Sequence, residues 1–208
     1  MMKKILMLVL GCLMVLGLAA CGNTNGADAS SSASKKTDTT AQAPAKGNGK
    51  TLVVYFSAGG HTKNVANYIA KATNGDIMEL KPVKEYTEAD MDYNNKNSRT
   101  TRERDDVSQR DVPLVKDKAD NWEGYDTVFI GYPIWWGGAA WPVNNFIKHN
   151  DFSGKKVIPF ATSASSGLGN SGKDLQQMAG TGNWLEGKRF PSNASESDVQ
   201  QWVRSLDL

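Results

Sequence analysis

The sequence contains very few of the side chains that build disulfides and metal centres. Among 208 residues there are 2 cysteines and 2 histidines. Cys12 and Cys21 both lie near the start, so the rest of the chain can form neither a disulfide nor a thiolate metal site. His61 and His149 are too few for a zinc site, which usually recruits several His or Cys ligands. We therefore expect no metal centre, and any redox chemistry would need a bound organic cofactor.

The chain also carries little net charge. The formal charge of the whole sequence is +2, and residues 51–208 hold 18 basic and 20 acidic side chains. A near-neutral domain exerts no strong electrostatic attraction on DNA or RNA. The composition therefore predicts no nucleic-acid partner.

A long apolar run occurs only at the start of the sequence. Lys3 and Lys4 precede 16 apolar residues, 5–20, whereas a membrane-spanning helix needs roughly 20. The run ends in Leu-Ala-Ala before Cys21, which resembles the lipobox of bacterial lipoproteins. The resemblance implies a signal peptide over residues 1–20, cleavage before Cys21, lipidation of that cysteine and anchoring on the extracytoplasmic face of the cell membrane. An ordinary secretory signal followed by a chance cysteine is the alternative.

Residues 21–50 would then form the lipidated cysteine and a disordered tether. The 29 residues from Gly22 to Lys50 contain no large apolar side chain and are rich in Ser, Thr, Ala and Gly. A flexible chain of that length has a root-mean-square reach of about 30 Å. The sequence predicts a folded domain over residues 51–208, held near a membrane surface.

Within that domain, short apolar strands alternate with amphipathic helices. The predicted strands are 51–56, 76–80, 125–131, 156–161 and a weaker one over 184–190. Four helices are predicted between and after the strands. The first has apolar residues at helical spacing over 65–70 and ends at Gly75 as C-cap, and the second begins with Pro142 in its first turn. The third begins with a capping box over 171–174, and the fourth has Ser195 as N-cap. This alternation predicts an α/β fold with a doubly wound, five-stranded parallel sheet and helices on both faces. Residues 83–123 interrupt it as a long excursion with one short helix near 99–106.

Three loops follow strands and should meet at the carboxyl edge of the sheet, where open parallel sheets bind ligands. They are residues 57–62, 132–138 and 162–169, here called the first, second and third loops. The first offers the Ser57 and Thr62 hydroxyls, two glycines that allow close backbone approach, and a helix start directly after them. That combination predicts a phosphate site.

The first loop, Ser-Ala-Gly-Gly-His-Thr, resembles the phosphate loop of flavodoxins and FMN-dependent quinone reductases. The second, Tyr-Pro-Ile-Trp-Trp-Gly-Gly, resembles the flavin-contact loop of one flavodoxin-like branch, and the third is placed like the third flavin loop. The resemblance implies sheet order 2-1-3-4-5 and FMN as cofactor. The residues it assigns to the cofactor are Ser57, Gly59, Gly60, His61, Thr62, Pro133, Ile134, Trp135, Trp136, Gly137, Thr162, Ser163, Ser165, Gly167 and Gly169. Many flavodoxins have a hydroxyl residue where this chain has Gly59, so that phosphate contact must come from backbone or solvent.

Two functions fit this pattern. The first is an FMN-dependent oxidoreductase or electron carrier with an unknown redox partner, in which the flavin does the chemistry and the chain supplies no catalytic acid or nucleophile. The second is a flavodoxin-fold binding or scaffolding lipoprotein without flavin. Trp135 and Trp136 are interpreted as flavin contacts, with packing aromatics as the alternative. Trp141 should pack at a helix start, His149 should end a surface helix, and residues 96–111 should form a solvated face.

Overall fold

Apolar segments of the sequence form the strands of one sheet in the computed structural model, which describes residues 50–206 and residue 208. The strands are β1 (Lys50–Tyr55), β2 (Asp76–Glu79), β3 (Tyr125–Trp135), β4 (Gly138–Ala139), β5 (Lys156–Ser163), β6 (Asn183–Trp184) and β7 (Lys188–Pro191). The helices are α1 (His61–Thr73), α2 (Arg99–Asp105), α3 (Val143–His149), α4 (Ser171–Ala179) and α5 (Glu196–Ser205). The predicted signal peptide and all of the predicted tether before Lys50 lie outside the described residues. Within residues 50–206, no helix is long and apolar enough to cross a membrane.

The sheet has the predicted doubly wound order. Its parallel strands run β2-β1-β3-β5, and the fifth position is shared by β6 and β7, which both pair with β5. The break falls at Pro159, which lies between the two pairings and has no backbone N–H to donate to an edge strand. Gly187 passes so close that a Cβ there would lie 2.4 Å from the Pro159 carbonyl oxygen. The weak fifth strand of the sequence is therefore two short strands.

Helices cover both faces of the sheet, because successive side chains of a strand point to opposite sides. Val53 and Tyr55 of β1 pack with apolar side chains of α1 and α5. Leu52 and Val54 of the same strand pack on the other face with side chains of α3, α4 and the segment before β3. The two cores confirm the predicted α/β architecture.

The excursion between β2 and β3 is an ordered crossover. It contains α2, close to the predicted helix at 99–106, and packs Tyr86 and Val112 onto the core on the α3 and α4 face of the sheet. Glu103 is buried there, with Oε1 accepting a hydrogen bond of 2.7 Å from Arg99 Nε and Oε2 accepting one of 2.7 Å from the Tyr86 hydroxyl. A carboxylate with such partners can be buried without a large loss of stability. The prediction that residues 96–111 form a solvated face is therefore wrong for this part of them.

Helix ends agree only in part with the sequence signals. Ser195 caps α5 as predicted, since its hydroxyl accepts a hydrogen bond from the Asp198 N–H. The cap of α1 is Asn74, in the left-handed conformation, and not the predicted Gly75. α4 begins after Asn170, and the hydroxyl of Ser171 donates to the Leu168 carbonyl, so the predicted capping box at 171–174 is absent.

Candidate functional site

The three loops meet at the carboxyl edge of the sheet. The first and third are joined by a buried hydrogen bond of 2.8 Å between the hydroxyls of Thr62 and Thr162. The second and third also approach each other, because a Cβ on Gly169 would lie 3.5 Å from the Gly137 carbonyl oxygen. The fold thus brings together loops that are about a hundred residues apart in sequence.

The first loop presents backbone donors at the start of α1. Gly60 precedes the helix with a φ of 83°, and no side chain caps the helix by hydrogen bonding from that position. Ser57 Oγ accepts from the Lys63 N–H at 3.2 Å, which leaves the N–H groups of His61 and Thr62 without partners among residues 50–206. Unpartnered donors at the positive end of a helix dipole form a binding site for an anion. The side chain of His61 is exposed, while that of Thr62 is buried.

The open space around this loop is consistent with a bound group. A Cβ on Gly60 would meet nothing within 4 Å, and one on Gly59 would meet only the His61 ring, at 3.6 Å. A cavity of 270 Å³ opens beside the loop, with Lys63, Lys81, Glu79 and Glu85 in its lining. Its charges balance, so attraction for an anion rests on the backbone donors of the loop.

The second loop is a tight hairpin and not an irregular loop as predicted. β3 continues to Trp135, and Trp136 and Gly137 form the two-residue turn to β4, with Ile134 paired to Ala139. Both turn residues have positive φ, 45° at Trp136 and 81° at Gly137, which is typical of a type I′ hairpin. A left-handed backbone costs a residue with a Cβ about 1–2 kcal/mol, so a tryptophan at this position is unusual. Such outliers cluster at functional sites.

The two tryptophans occupy different environments. Trp135 is 2% exposed and lies in the core, whereas Trp136 is 40% exposed. Trp135 packs edge-on against Phe56, Tyr86 and Trp141, at ring-centroid distances of 5.6, 5.2 and 5.7 Å. The expectation that neither tryptophan is a core residue is therefore wrong for Trp135. Pro133 and Ile134 are partly exposed in the strand leading to the turn.

The ring of Trp136 has partners that the sequence did not reveal. Tyr93 meets it edge-on at 5.1 Å, and Trp141 lies parallel to it, with centroids 6.2 Å apart. The guanidinium carbon of Arg104 is 5.2 Å from the same ring, and that of Arg110 is 4.3 Å from the ring of Trp141. Trp141 packs just before α3, as predicted. The other partners of the Trp136 ring, Tyr93 and Arg104, come from the excursion, 32 or more residues before Trp136, where no sequence pattern connects them to it.

Two indole nitrogens beside the hairpin are buried without a well-formed hydrogen bond. Neither Nε1 of Trp135 nor Nε1 of Trp141 has a partner at hydrogen-bond distance and angle among the described residues, but the Tyr93 hydroxyl interacts with the Trp135 side chain, which lowers the Tyr93 pKa against the larger raising effect of burial. An unsatisfied buried donor costs about 1–3 kcal/mol. Native structures rarely keep such donors without a reason, and an acceptor on a bound molecule is one reason.

Two side chains outside the third loop, those of Tyr132 and Arg189, help to hold it in place. Tyr132 lies beneath it and its hydroxyl is 3.1 Å from Ser171 Oγ, which donates to the Leu168 carbonyl at 2.7 Å. Burial raises the pKa of Tyr132 to about 12. From the side, Arg189 of β7 donates to Ser163, a contact that the sequence analysis missed. Thr162 is buried, while Ser165, Gly167 and Gly169 are exposed.

Residues 50–206 match the sequence profile of the flavodoxin family. A Bacteroides uniformis protein called a flavoprotein is 43% identical in its crystal structure, with a TM-score of 0.70, covering 76% of this chain and 99% of its own. A Bacteroides eggerthii protein, also called a flavoprotein, is 40% identical with a TM-score of 0.69, covering 76% and 98%. A Lactobacillus acidophilus flavoprotein in complex with FMN shares the fold at 23% identity and a TM-score of 0.53, covering 74% and 98%. No curated protein matches the chain.

Proposed function

The chain belongs to the flavodoxin family, and we propose that its domain binds FMN at the carboxyl edge of the sheet and uses it as an oxidoreductase or electron carrier. One observation carries the proposal. The fold brings three loops together. The first contains backbone N–H groups at the start of α1 that have no partner, and the second contains Trp136, whose ring is exposed and whose backbone has a positive φ. The Lactobacillus protein, which has the same fold, is in complex with FMN.

The phosphate of FMN belongs in the first loop. The N–H groups of His61 and Thr62 are free to donate, and Gly59 and Gly60 leave room for a close approach. The hydroxyl of Thr62 keeps a second hydrogen-bonding position beyond its contact with Thr162. Because Gly59 has no side chain, backbone donors take over the contact that a hydroxyl makes in many flavodoxins. Hydrogen bonds to an ionised group contribute about 1.5–3 kcal/mol each.

The flavin ring belongs beside the hairpin and the third loop. Trp136 is 40% exposed, and ring contacts contribute about 0.5–1.5 kcal/mol beyond the area that they bury. Trp135 is buried in the core and packs against Trp141, whose ring lies parallel to that of Trp136. The third loop supplies exposed backbone N–H groups from Ser165 to Gly169, which can donate to the polar edge of the ring.

When bound, FMN supplies the electron-transfer chemistry, and the chain's part is to bind and orient it. The loops would hold the phosphate at one end and the ring at the other, which would fix the position of the ring relative to the protein surface. Trp136 would exclude water from the part of the ring that it contacts. Electron exchange with a partner would take place across the exposed side of this edge.

The test is a titration of the purified full chain with FMN and with riboflavin, followed by flavin fluorescence. Two charge-assisted hydrogen bonds to the phosphate amount to about 3 kcal/mol or more, so FMN should bind roughly 100-fold tighter than riboflavin. Equal affinities would contradict the phosphate site. If neither flavin binds, the proposed function is wrong and the flavin-free binding or scaffolding role replaces it.

We also propose that the domain is tethered to the extracytoplasmic face of a bacterial membrane through lipid on Cys21. The support comes from the sequence alone, from the short apolar run that ends in Leu-Ala-Ala before Cys21. Each buried methylene of an acyl chain adds about 0.8 kcal/mol, so two or three chains anchor a protein stably. The redox partner would then be found outside the cytoplasm or in the membrane itself.

A further inference from the structure

The guanidinium of Arg189 holds the third loop from one side. Its Nε donates to Ser163 Oγ at 2.9 Å, and its Nη2 donates to the carbonyl oxygens of Ser163 at 2.8 Å and Ala164 at 2.9 Å. Ser163 Oγ in turn donates to the Ser166 carbonyl. One cation therefore holds three carbonyl groups of the loop, two directly and one through a hydroxyl.

No carboxylate pairs with Arg189 among residues 50–206. Its hydrogen-bonding capacity goes instead to the backbone of the loop, where a cationic donor makes stronger bonds than a neutral one. A surface ion pair does not place a guanidinium against three groups of one loop, as is the case for Arg189. The contacts indicate that the shape of the loop depends on Arg189.

These contacts also set the direction of the loop's N–H groups. In a trans peptide the C=O and N–H bonds point to opposite sides. Because the carbonyl of Ala164 accepts from Arg189, the N–H group of Ser165, which shares that peptide unit, points away from the guanidinium. The carbonyl of Ser166 accepts from Ser163 Oγ, so the N–H group of Gly167 points away from that hydroxyl. β5 lies between β3 and β7, and the loop that leaves β5 approaches the hairpin at Gly169, where a Cβ would lie 3.5 Å from the Gly137 carbonyl oxygen.

Taking the proposed FMN site as the premise, we propose that Arg189 is a positioning residue that aims the third-loop N–H groups at the flavin ring and favours the reduced cofactor. A peptide group whose carbonyl accepts from a cation is polarised, which makes its N–H a better donor. Fixed donors stabilise negative charge where it develops. Reduction makes the ring more electron-rich, so these donors should bind the reduced form more tightly and raise the reduction potential.

The test compares Arg189→Met with Arg189→Lys, and uses Lys188→Met as the matched control. Lys188 is adjacent and also cationic, but its ammonium lies 5.5 Å from the Phe190 ring and does not contact the loop. Arg189→Met should raise the Kd of FMN and the Kd of riboflavin by the same factor, about tenfold. Both flavins have the same ring, and the loss corresponds to about one hydrogen bond between the third loop and that ring. The reduction potential of bound FMN should fall in Arg189→Met and fall less in Arg189→Lys, which keeps the charge. Lys188→Met should leave both quantities unchanged.

A second readout needs no flavin. In the flavin-free full chain, the NMR order parameters of the amides from Ser165 to Gly169 should be lower in Arg189→Met than in the wild type and unchanged in Lys188→Met, because the loop loses the contacts that fix it. If Arg189→Met does not fold, Ser163→Ala removes the hydroxyl link alone and should shift the order parameters and the Kd in the same direction by less.

The outcomes separate the two ideas. A wild type that binds neither flavin overturns the proposed function, and the role of Arg189 toward the ring fails with it. A wild type that binds FMN, together with an Arg189→Met variant of unchanged Kd, reduction potential and loop order parameters, overturns the role of Arg189 alone.

Discussion

Replacing Trp136 by alanine should weaken FMN binding while leaving the flavin-free fold nearly intact. The ring is 40% exposed and contacts Tyr93 at its edge, Trp141 in parallel and the Arg104 guanidinium, so its removal costs the fold about 2 kcal/mol, less than emptying a core site. Alanine at a φ of 45° is as strained as tryptophan, so the backbone contributes no difference. Losing an aromatic face from the flavin should raise the Kd of FMN about tenfold or more.

Trp135→Ala is the matched control, since the two tryptophans are neighbours with opposite burial. The Trp135 ring is 2% exposed and packs against three aromatic rings. Emptying such a site typically costs about 3–5 kcal/mol. For a domain of this size each kcal/mol lowers the Tm by about 2–4 °C, so Trp135→Ala should melt roughly 6–20 °C below the wild type, with or without flavin.

Thermal melts of both variants in the presence and absence of FMN, with a titration of each, separate the two roles. The wild type should gain stability from FMN, and Trp136→Ala should lose most of that gain while its flavin-free Tm falls less than that of Trp135→Ala. The reasoning is refuted if Trp136→Ala melts as low as Trp135→Ala without flavin, or if its Kd for FMN equals that of the wild type.

Three further predictions test other parts of the molecule. Thr62→Val should raise the Kd of FMN about tenfold and leave the Kd of riboflavin nearly unchanged, and the control Thr62→Ser should bind both flavins like the wild type. Equal effects of Thr62→Val on both flavins would show that Thr62 does not belong to the phosphate site. The free energy of unfolding, measured in urea, should fall as the pH rises from about 10 to 12. Burial raises the pKa of Tyr132 from 10.0 in the unfolded chain to about 12 in the folded protein. The stability that comes from this shift is therefore complete below the unfolded pKa and is lost as the pH rises toward the folded pKa. Tyr132→Phe should flatten part of that fall, and an unchanged pH profile would contradict it. Cys21→Ser should release the protein from membranes in fractionation, and a variant that still sediments with membrane lipid would contradict the lipobox interpretation.

Much of the fold follows from local sequence patterns. β1 and β5 are buried on both faces, and such strands are visible in the sequence as continuous apolar runs. α5 carries both an N-cap at Ser195 and an apolar stripe, so its start could be placed correctly. The crossover between β2 and β3 has no such period. Its backbone is held by side-chain contacts, such as those of Arg110 with the carbonyls of Glu103 and Arg104, which leave no regular spacing in the sequence.

The three loops of the candidate site could be located from the sequence, but the contacts among their side chains could not. Glycines and hydroxyls after strands mark the three loops, because backbone approach and helix donors require them locally. The different burial of Trp135 and Trp136 depends on where β3 ends, since a strand turns one side chain inward and the hairpin turns the next outward. Arg189 is separated from Ser163 by 26 residues, and only the pairing of β7 with β5 brings the two together.

The central claim, that FMN binds across the three loops, is tested most directly by a crystal structure of the chain grown with FMN. The account predicts the phosphate at the start of α1, against the N–H groups of His61 and Thr62, and the flavin ring beside Trp136 and the third loop. A flavin bound at another surface, such as the groove between β7 and α5, would contradict the account, as would crystals from saturating FMN in which the three loops hold no flavin.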